Sequence, residues 1–293
     1  MKDFRIKRIL FPVDFSDRSD GAAHYVEALT GRFQAELILL HVVETPSFLF
    51  GGPESYGAAT LNKIREDRLV EANSKLNQYL GAAVKHFDVK RALVEGEPAH
   101  QIITYAHDNP IDLIMMPSHG FGPFRRFVIG SVTAKVLHDA HCPVWTGVHL
   151  EEAPPLEQIH CRHIVCAIDL GPQSEATVKW ASSLAREYGA QLTVAHATPE
   201  VEAFPARYMD SEFAALLASR AREQVAELTR KAGVNCEIWI GSGNPAEAIR
   251  AAATESKADL VVIARGALAA GIGRLRTHAY AIIRNSPCPV VSV

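Results

Sequence analysis

The sequence predicts an α/β protein made of two tandem doubly wound domains, each a mostly parallel five-stranded sheet with helices on both faces. Two observations predict this class. Short runs rich in Ile, Leu and Val alternate with helix-like segments, as buried parallel strands alternate with their crossover helices. The same series of segments then occurs a second time, so we expect domains at residues 1–150 and 160–293.

The internal repeat can be read directly from ordered matches. Segment 7–14 is basic, then apolar, and ends in Asp, and it matches 162–169; segment 35–43 matches 190–198 at the same offset. Two later matches follow in the same order. A repeat of this length indicates two copies of one domain rather than a solenoid, whose units are shorter. The acidic, proline-containing stretch 149–160 is the expected linker.

Within the first copy, five apolar runs predict strands, at 7–13, 36–43, 89–94, 112–117 and 143–148. Four intervening segments predict helices, at 18–33, 61–85, 98–108 and 131–140. Apolar residues at helical spacing support the first helix, with Ala22, Val26 and Leu29, and the second, with Leu61, Ile64, Leu69, Leu76 and Leu80. Pro98 suits the first turn of the third helix, and Ser131 is the expected N-cap of the fourth.

The amino-acid composition argues against several classes of function. The formal net charge is −3 with 22% charged residues, so no strong field attracts nucleic acid. No apolar run reaches the roughly 18 residues of a membrane helix, and the first residues lack a signal-peptide core. Five cysteines without CxxC spacing favour neither zinc nor a disulfide framework. We therefore expect a cytoplasmic protein with no nucleic-acid or membrane partner.

The predicted strand ends carry the candidate site. In doubly wound sheets ligands bind outside the carboxyl ends of the strands, near the switch in strand order. Here those ends carry Pro12-Val13-Asp14, His41-Val42 and Pro117-Ser118-His119-Gly120, and Gly130-Ser131 opens the last helix.

Gly120, nine residues, then Gly130-Ser131 form the second part of a G-x2-G-x9-G-[ST] nucleotide motif. Together with Asp14, His41-Val42, the Gly-Glu-Pro-Ala start of the third helix and the Cys-Pro-Val entry to the last strand, these residues resemble the universal stress protein family. The resemblance covers both halves. It implies a tandem member of that family that binds an adenine nucleotide, ATP or else ADP or AMP, with or without Mg2+.

The resemblance also implies residue roles. Asp14 would lie near the ribose and the metal–phosphate region, and the backbone at Val42 would meet the adenine. Helix-start amides are natural phosphate donors, and a glycine there admits oxygen close to the backbone. The expected nucleotide-binding set is Pro12, Val13, Asp14, Val42, Pro117, Ser118, His119, Gly120, Gly130, Ser131, Val132 and Thr133, with Asp14 as the residue that would hold a metal.

Two positions depart from the family pattern. Pro117 stands where the first motif glycine belongs, and proline has no N–H to donate. In the second copy Gly266 matches Gly120, but Arg276-Thr277 replaces Gly130-Ser131. The second copy is therefore expected to act structurally, as one half of an internal pseudo-dimer joined through the final strands, while a homodimer of whole chains stays open.

Several other features of the sequence have simpler interpretations. The stretch 241–246 fits G-x-G-x-x-A but is interpreted as a turn before Pro245, and Ser118-His119 as a loop near phosphate. His41 and His196 are expected to be hydrogen-bonded histidines at the edge of the cleft. Arg125-Arg126 could reach phosphate or form a solvated turn. The aromatic insert with Phe48, Phe50 and Tyr56 could cover the cleft, meet a partner or be a poorly ordered loop.

Three functions remain from the sequence. The main one is a cytoplasmic ATP-binding stress-response protein that acts as a nucleotide-dependent sensor or binding module. The second is a slow Mg-dependent ATP hydrolase in which Asp14 holds a metal-bound water. Asp14 is the carboxylate expected near the predicted phosphate-binding residues. The third is a nucleotide-free interaction module, which Pro117 supports.

Overall fold

The computed structural model describes residues 4–44, 58–118, 129–147, 154, 156–199, 211–265 and 274–293. The side chains of 58, 59, 211, 212 and 274–277 lie outside that description. All statements below concern the described part of the chain.

The first half follows the predicted alternation of strand and helix. Its elements are β1 (Arg8–Pro12), α1 (Asp17–Phe33), β2 (Glu36–Val43), α2 (Ala58–Gln78), β3 (Val89–Glu95), α3 (Pro98–Asp108), β4 (Leu113–Met115), α4 (Ser131–Asp139) and β5 (Val144–Thr146). The central strands are mostly apolar, as in β1 and β4, because both faces of the sheet are covered.

The second half repeats the series after a short 3-10 turn at Leu156–Gln158. Its elements are β6 (His163–Ala167), α5 (Ser174–Tyr188), β7 (Gln191–Thr198), α6 (Ser211–Ala232), β8 (Glu237–Ser242), α7 (Pro245–Glu255), β9 (Leu260–Ile263), α8 (Arg274–Asn285) and β10 (Val290–Ser292).

The strands form one sheet in the order β3-β2-β1-β4-β5-β10-β9-β6-β7-β8. Every pairing within a half is parallel, for example Ile9 with Leu37 in β1 and β2. The two halves join where β5 and β10 pair antiparallel, with Val290 opposite Thr146 and Ser292 opposite Val144. The predicted fold class is confirmed, and the last strands are the ones that connect the halves.

The helices cover both faces of this sheet. Buried residues of α1 and α5, such as Val26 and Leu184, belong to one core cluster, and buried residues of α3 and α7, such as Ile102 and Ile249, belong to the other. Each cluster contains residues of both halves, so the cores are continuous across the β5–β10 junction.

The second helix differs from its sequence prediction. It ends at Gln78 rather than near residue 85, and Leu80 follows with φ 54°, a left-handed conformation that breaks the helix. Leu76 is buried, but Ile64 remains 38% exposed. The apolar stripe is buried only in its last turns because the N-terminal part of α2 extends past the sheet core.

Among the helices of the described ranges, none combines the length and apolar character that a membrane crossing requires.

Candidate functional site

A pocket of about 370 Å3 opens at the carboxyl ends of the first-half strands. In this half β1 lies between β2 and β4. The chain runs from β1 through β2 to β3 on one side and then crosses to β4 on the other side, so the strand order switches at β1 and a crevice forms there. The pocket is lined by residues from three strand ends and from the first turns of α1, α3 and α4: Pro12, Val13, Asp14, Arg18, Ser19, Leu40, His41, Val42, Glu44, Pro98, Ile102, Met116, Pro117, Gly130, Ser131, Val132 and Thr133.

Most of the predicted nucleotide-binding residues line this one pocket. They are Pro12, Val13, Asp14, Val42, Pro117, Gly130, Ser131, Val132 and Thr133. Ser118 is not part of its lining: its side chain is 1% exposed and donates to the carbonyl of Gly147 at 2.7 Å. His119, Gly120, Arg125-Arg126 and the aromatic insert lie outside the described residues.

Asp14 is held by the first turn of α1. Its Oδ1 accepts hydrogen bonds from the backbone N–H of Ser16 at 3.1 Å, from Ser16 Oγ at 2.6 Å and from Ser19 Oγ at 2.6 Å. Ser16 is also the N-cap of the helix, since its Oγ accepts from the N–H of Ser19. Three donors on one oxygen fix the carboxylate and leave Oδ2 as the oxygen with capacity for a ligand.

The start of α4 presents unused backbone donors to the pocket. The first intrahelical bond runs from the N–H of Ala134 to the carbonyl of Gly130 at 2.8 Å. The amides of Ser131, Val132 and Thr133 precede it and have no partner inside the helix, and no side chain of the described residues caps this end. Such an end attracts an anion by its N–H groups and by the helix dipole.

Ser131 is not the N-cap that the sequence predicts. Gly130 occupies that position with φ −59° and ψ 148°, and Ser131 is the first helical residue. Any residue adopts this φ, so the backbone at this position does not require glycine. What the glycine contributes is the absence of a side chain on the pocket wall.

Pro117 follows β4 at the edge of the crevice and provides no backbone hydrogen-bond donor toward β1. The amides of Met116 and Ser118 donate to carbonyls on the β5 side, those of Trp145 and Gly147. Because amides alternate sides along a strand, the position between them faces β1, where Pro117 has no N–H. Its carbonyl accepts from Thr133 Oγ1 at 3.0 Å, which anchors the start of α4 to the end of β4.

The rest of the lining was not predicted from the sequence. An apolar wall is formed by Leu40, Pro98, Ile102 and Met116, and charged groups are added by Arg18 and Glu44. Leu40 and Met116 look like ordinary strand residues, and no motif marks them. Only the strand order places them beside Asp14.

His41 has the hydrogen bond that the sequence predicts for it. Its Nδ1 lies 2.8 Å from the carbonyl oxygen of Val13, so Nδ1 carries the proton. The ring packs against Phe15, with centroids 4.4 Å apart. His196 repeats the bond in the second half, at 2.9 Å from the carbonyl of Ile168. In both halves the histidine ties β2 or β7 to the end of the neighbouring strand.

The second half keeps the acidic part of this arrangement. Asp169 Oδ1 accepts from the N–H of Gly171 at 2.8 Å and from Ser174 Oγ at 3.2 Å. Gly266 and the side chains of Arg276 and Thr277 lie outside the described residues.

The G-x-G-x-x-A stretch of the second half is a turn, as predicted. Asn244 caps α7 by accepting from the N–H of Ala246 at 2.9 Å, and Pro245 begins the helix. Gly243 has φ 91°, which favours glycine. A Cβ at Gly241 would lie 2.4 Å from the ring of Trp239, so tight packing explains that glycine without a ligand.

Fold and pocket define a protein that carries the doubly wound α/β fold in two copies, with a ligand-sized crevice at the switch in strand order of the first copy. The chain belongs to the universal stress protein family, whose family model matches residues 5–146 and 160–293.

Universal stress protein MJ0577 of Methanocaldococcus jannaschii is 32% identical over 149 residues, 47% of this chain and 92% of that protein. YxiE of Bacillus subtilis is 32% identical over 145 residues, 47% of this chain and 95% of that protein. The crystal structure of a universal stress protein from Archaeoglobus fulgidus covers 98% of this chain and 96% of its own, with a TM-score of 0.67 and 20% identity. That likeness shows the same two-copy fold.

Proposed function

We propose that the first half binds an adenine nucleotide, ATP foremost, and that the protein acts in the cytoplasm as a nucleotide-dependent module of the stress response. One observation carries the proposal: nine residues expected from the sequence to contact nucleotide line a single 370 Å3 pocket. That volume is in the usual range of small-molecule sites.

The chemistry of the pocket suits the parts of a nucleotide. The phosphates would meet the uncapped amides of Ser131, Val132 and Thr133. The ribose would lie near Asp14, whose Oδ2 would accept hydrogen bonds from the ribose hydroxyl groups or hold Mg2+. The adenine would pack on the apolar wall beside Val42, whose backbone supplies its hydrogen bonds.

The test is titration of the purified protein with Mg-ATP, ADP and AMP by calorimetry and thermal shift. We expect one site per chain, and a ligand at a hundred times its Kd stabilises the native state by about 2.7 kcal/mol. Gly130→Arg introduces the residue that the sequence of the second copy has at this position, and its long side chain on the pocket wall should weaken ATP binding at least about tenfold. Gly130→Ala is the control, because φ −59° accepts alanine.

If none of the three nucleotides raises the melting temperature, the proposal is wrong and a nucleotide-free module is favoured. ADP release above background that disappears in Asp14→Ala would instead favour the slow hydrolase. Mass analysis of small molecules released from the purified protein checks the identity of the nucleotide without added ligand.

A further inference from the structure

A second cavity, of about 310 Å3, lies between the two halves and shares no lining residue with the nucleotide pocket. Its walls come from α1, β5, the chain just before β6 and the end of α5. They are mostly aromatic or aliphatic, with cationic groups among them: Tyr25, Leu29, Arg32, Trp145, Ile159 and Arg162. Tyr188 closes the side formed by α5.

The internal repeat explains why this space exists. With the offset that relates Asp14 to Asp169, Phe4 corresponds to Ile159, Tyr25 to Trp180 and Phe33 to Tyr188. At the other junction the ring of Phe4 packs edge-on against Trp180, with centroids 5.5 Å apart, and against Phe33 at 6.4 Å. At this junction the corresponding residue is Ile159, so the cavity lies where the other copy has an aromatic ring.

The charges at the two junctions differ as well. Arg32 lines the cavity, and its counterpart is Glu187. The Arg32 guanidinium donates to the backbone carbonyl of Glu187 and lies 5.4 Å from the centre of the Tyr188 ring. Arg162 brings a second guanidinium, which makes no hydrogen bond or ion pair with another described side chain.

The one carboxylate in the lining is already occupied. Asp259 Oδ2 accepts from the N–H groups of Arg162 at 2.6 Å and His163 at 3.0 Å. Asp112 makes the same pair of bonds to Lys7 and Arg8 at the other junction, so this is a structural contact of the repeat. With this carboxylate counted, the two guanidinium groups of Arg32 and Arg162 leave the lining with a net positive charge.

We propose that this cavity binds a small planar aromatic molecule that carries a carboxylate. The ring lies among Tyr25, Trp145 and Tyr188 in place of the missing phenyl group, and the carboxylate is bound by Arg162 and Arg32. Burial raises the pKa of Tyr25, so its hydroxyl stays protonated and is a donor for the same anion.

The probe is indole-3-carboxylate, titrated into the full-length chain. Indole-3-carboxamide, its uncharged analogue, is the control ligand. Each of the three tryptophans gives one indole N–H resonance, and the expected result is a saturable shift of Trp145 only, with a Kd of about 1 mM or tighter. Arg162→Gln should remove the preference for the carboxylate over the carboxamide.

The most direct test is Ile159→Phe, because it introduces at the cavity the phenyl group that Phe4 supplies at the other junction. It should weaken binding of the carboxylate at least about tenfold while leaving ATP binding unchanged. Ile159→Val, which leaves the space open, should bind like the natural chain and serves if the phenylalanine variant does not fold. Unchanged binding by a folded Ile159→Phe, or no shift of Trp145 up to roughly 10 mM probe, overturns the inference.

Discussion

The carboxylate of Asp14 illustrates how single residues prepare the crevice. Its position after β1 was evident from the sequence, but its orientation was not, because that depends on two serines in the first turn of α1. Ser19 is 1% exposed and directs its hydroxyl at Oδ1, so it acts on a ligand through Asp14. Ser16 combines the same contact with the helix cap.

Ser19→Ala tests this positioning role. Losing a hydrogen bond to a charged group should lower the free energy of unfolding by about 1.5–3 kcal/mol and should weaken Mg-ATP binding several-fold. Ser174→Ala removes the equivalent bond to Asp169 and is the matched control. Calorimetric titration and urea unfolding separate the two effects: equal ATP affinity in both variants would argue against a role of Ser19 in the site.

Among the helices, the two starts marked by proline were easier to predict than the buried faces. Pro98 and Pro245 fix the starts of α3 and α7 because proline is tolerated only in the first turn. The apolar spacing in α2 predicts a buried stripe, yet burial depends on how far the sheet extends beneath the helix. The lining of the crevice by Leu40 and Met116 likewise required the strand order, which local patterns do not contain.

The two equivalent caps of α3 and α7 differ in charge, and this predicts a difference in pH dependence. Glu97 accepts from the N–H groups of Ala99 and His100 and from Lys135. Partial burial raises the pKa of its carboxyl, but these hydrogen bonds outweigh that effect and hold it below the usual value. Its contribution to stability is present above the unfolded-state pKa and is lost as pH falls through the folded-state pKa.

Glu97→Ala should therefore cost about 1 kcal/mol at neutral pH and less in acid, and Glu97→Gln should weaken the acid dependence. Asn244→Ala removes the uncharged cap of α7 at a similar cost that does not vary with pH. Urea midpoints between pH 3 and pH 7, roughly the range over which a carboxyl titrates, check this; parallel curves for both alanine variants would contradict it.

At the scale of the whole molecule, the repeat predicted two domains, while the structure joins them into one sheet with shared cores. The pairing of β5 with β10 was anticipated from the repeat because final strands expose edges that a second copy can cover. The continuity of both core clusters across that junction is a tertiary property, and no single segment of the sequence encodes it.

We expect the halves to unfold together. Trp145 and Val291 face each other across the junction and both belong to one buried cluster, so unfolding either half exposes apolar surface of the other. Scanning calorimetry should give one transition whose calorimetric and van't Hoff enthalpies agree. Two resolved transitions would mean that the halves are energetically independent.

The opposite directions of β5 and β10 have a geometric result for anything that binds. The second half is rotated within the plane of the sheet relative to the first, so the carboxyl ends of its strands, with Asp169, lie on the opposite rim of the sheet from Asp14. Four strands, β4, β5, β10 and β9, separate β1, which Asp14 follows, from β6, which Asp169 follows. A ligand bound beside Asp14 would therefore leave the rim beside Asp169 open for contact with another molecule.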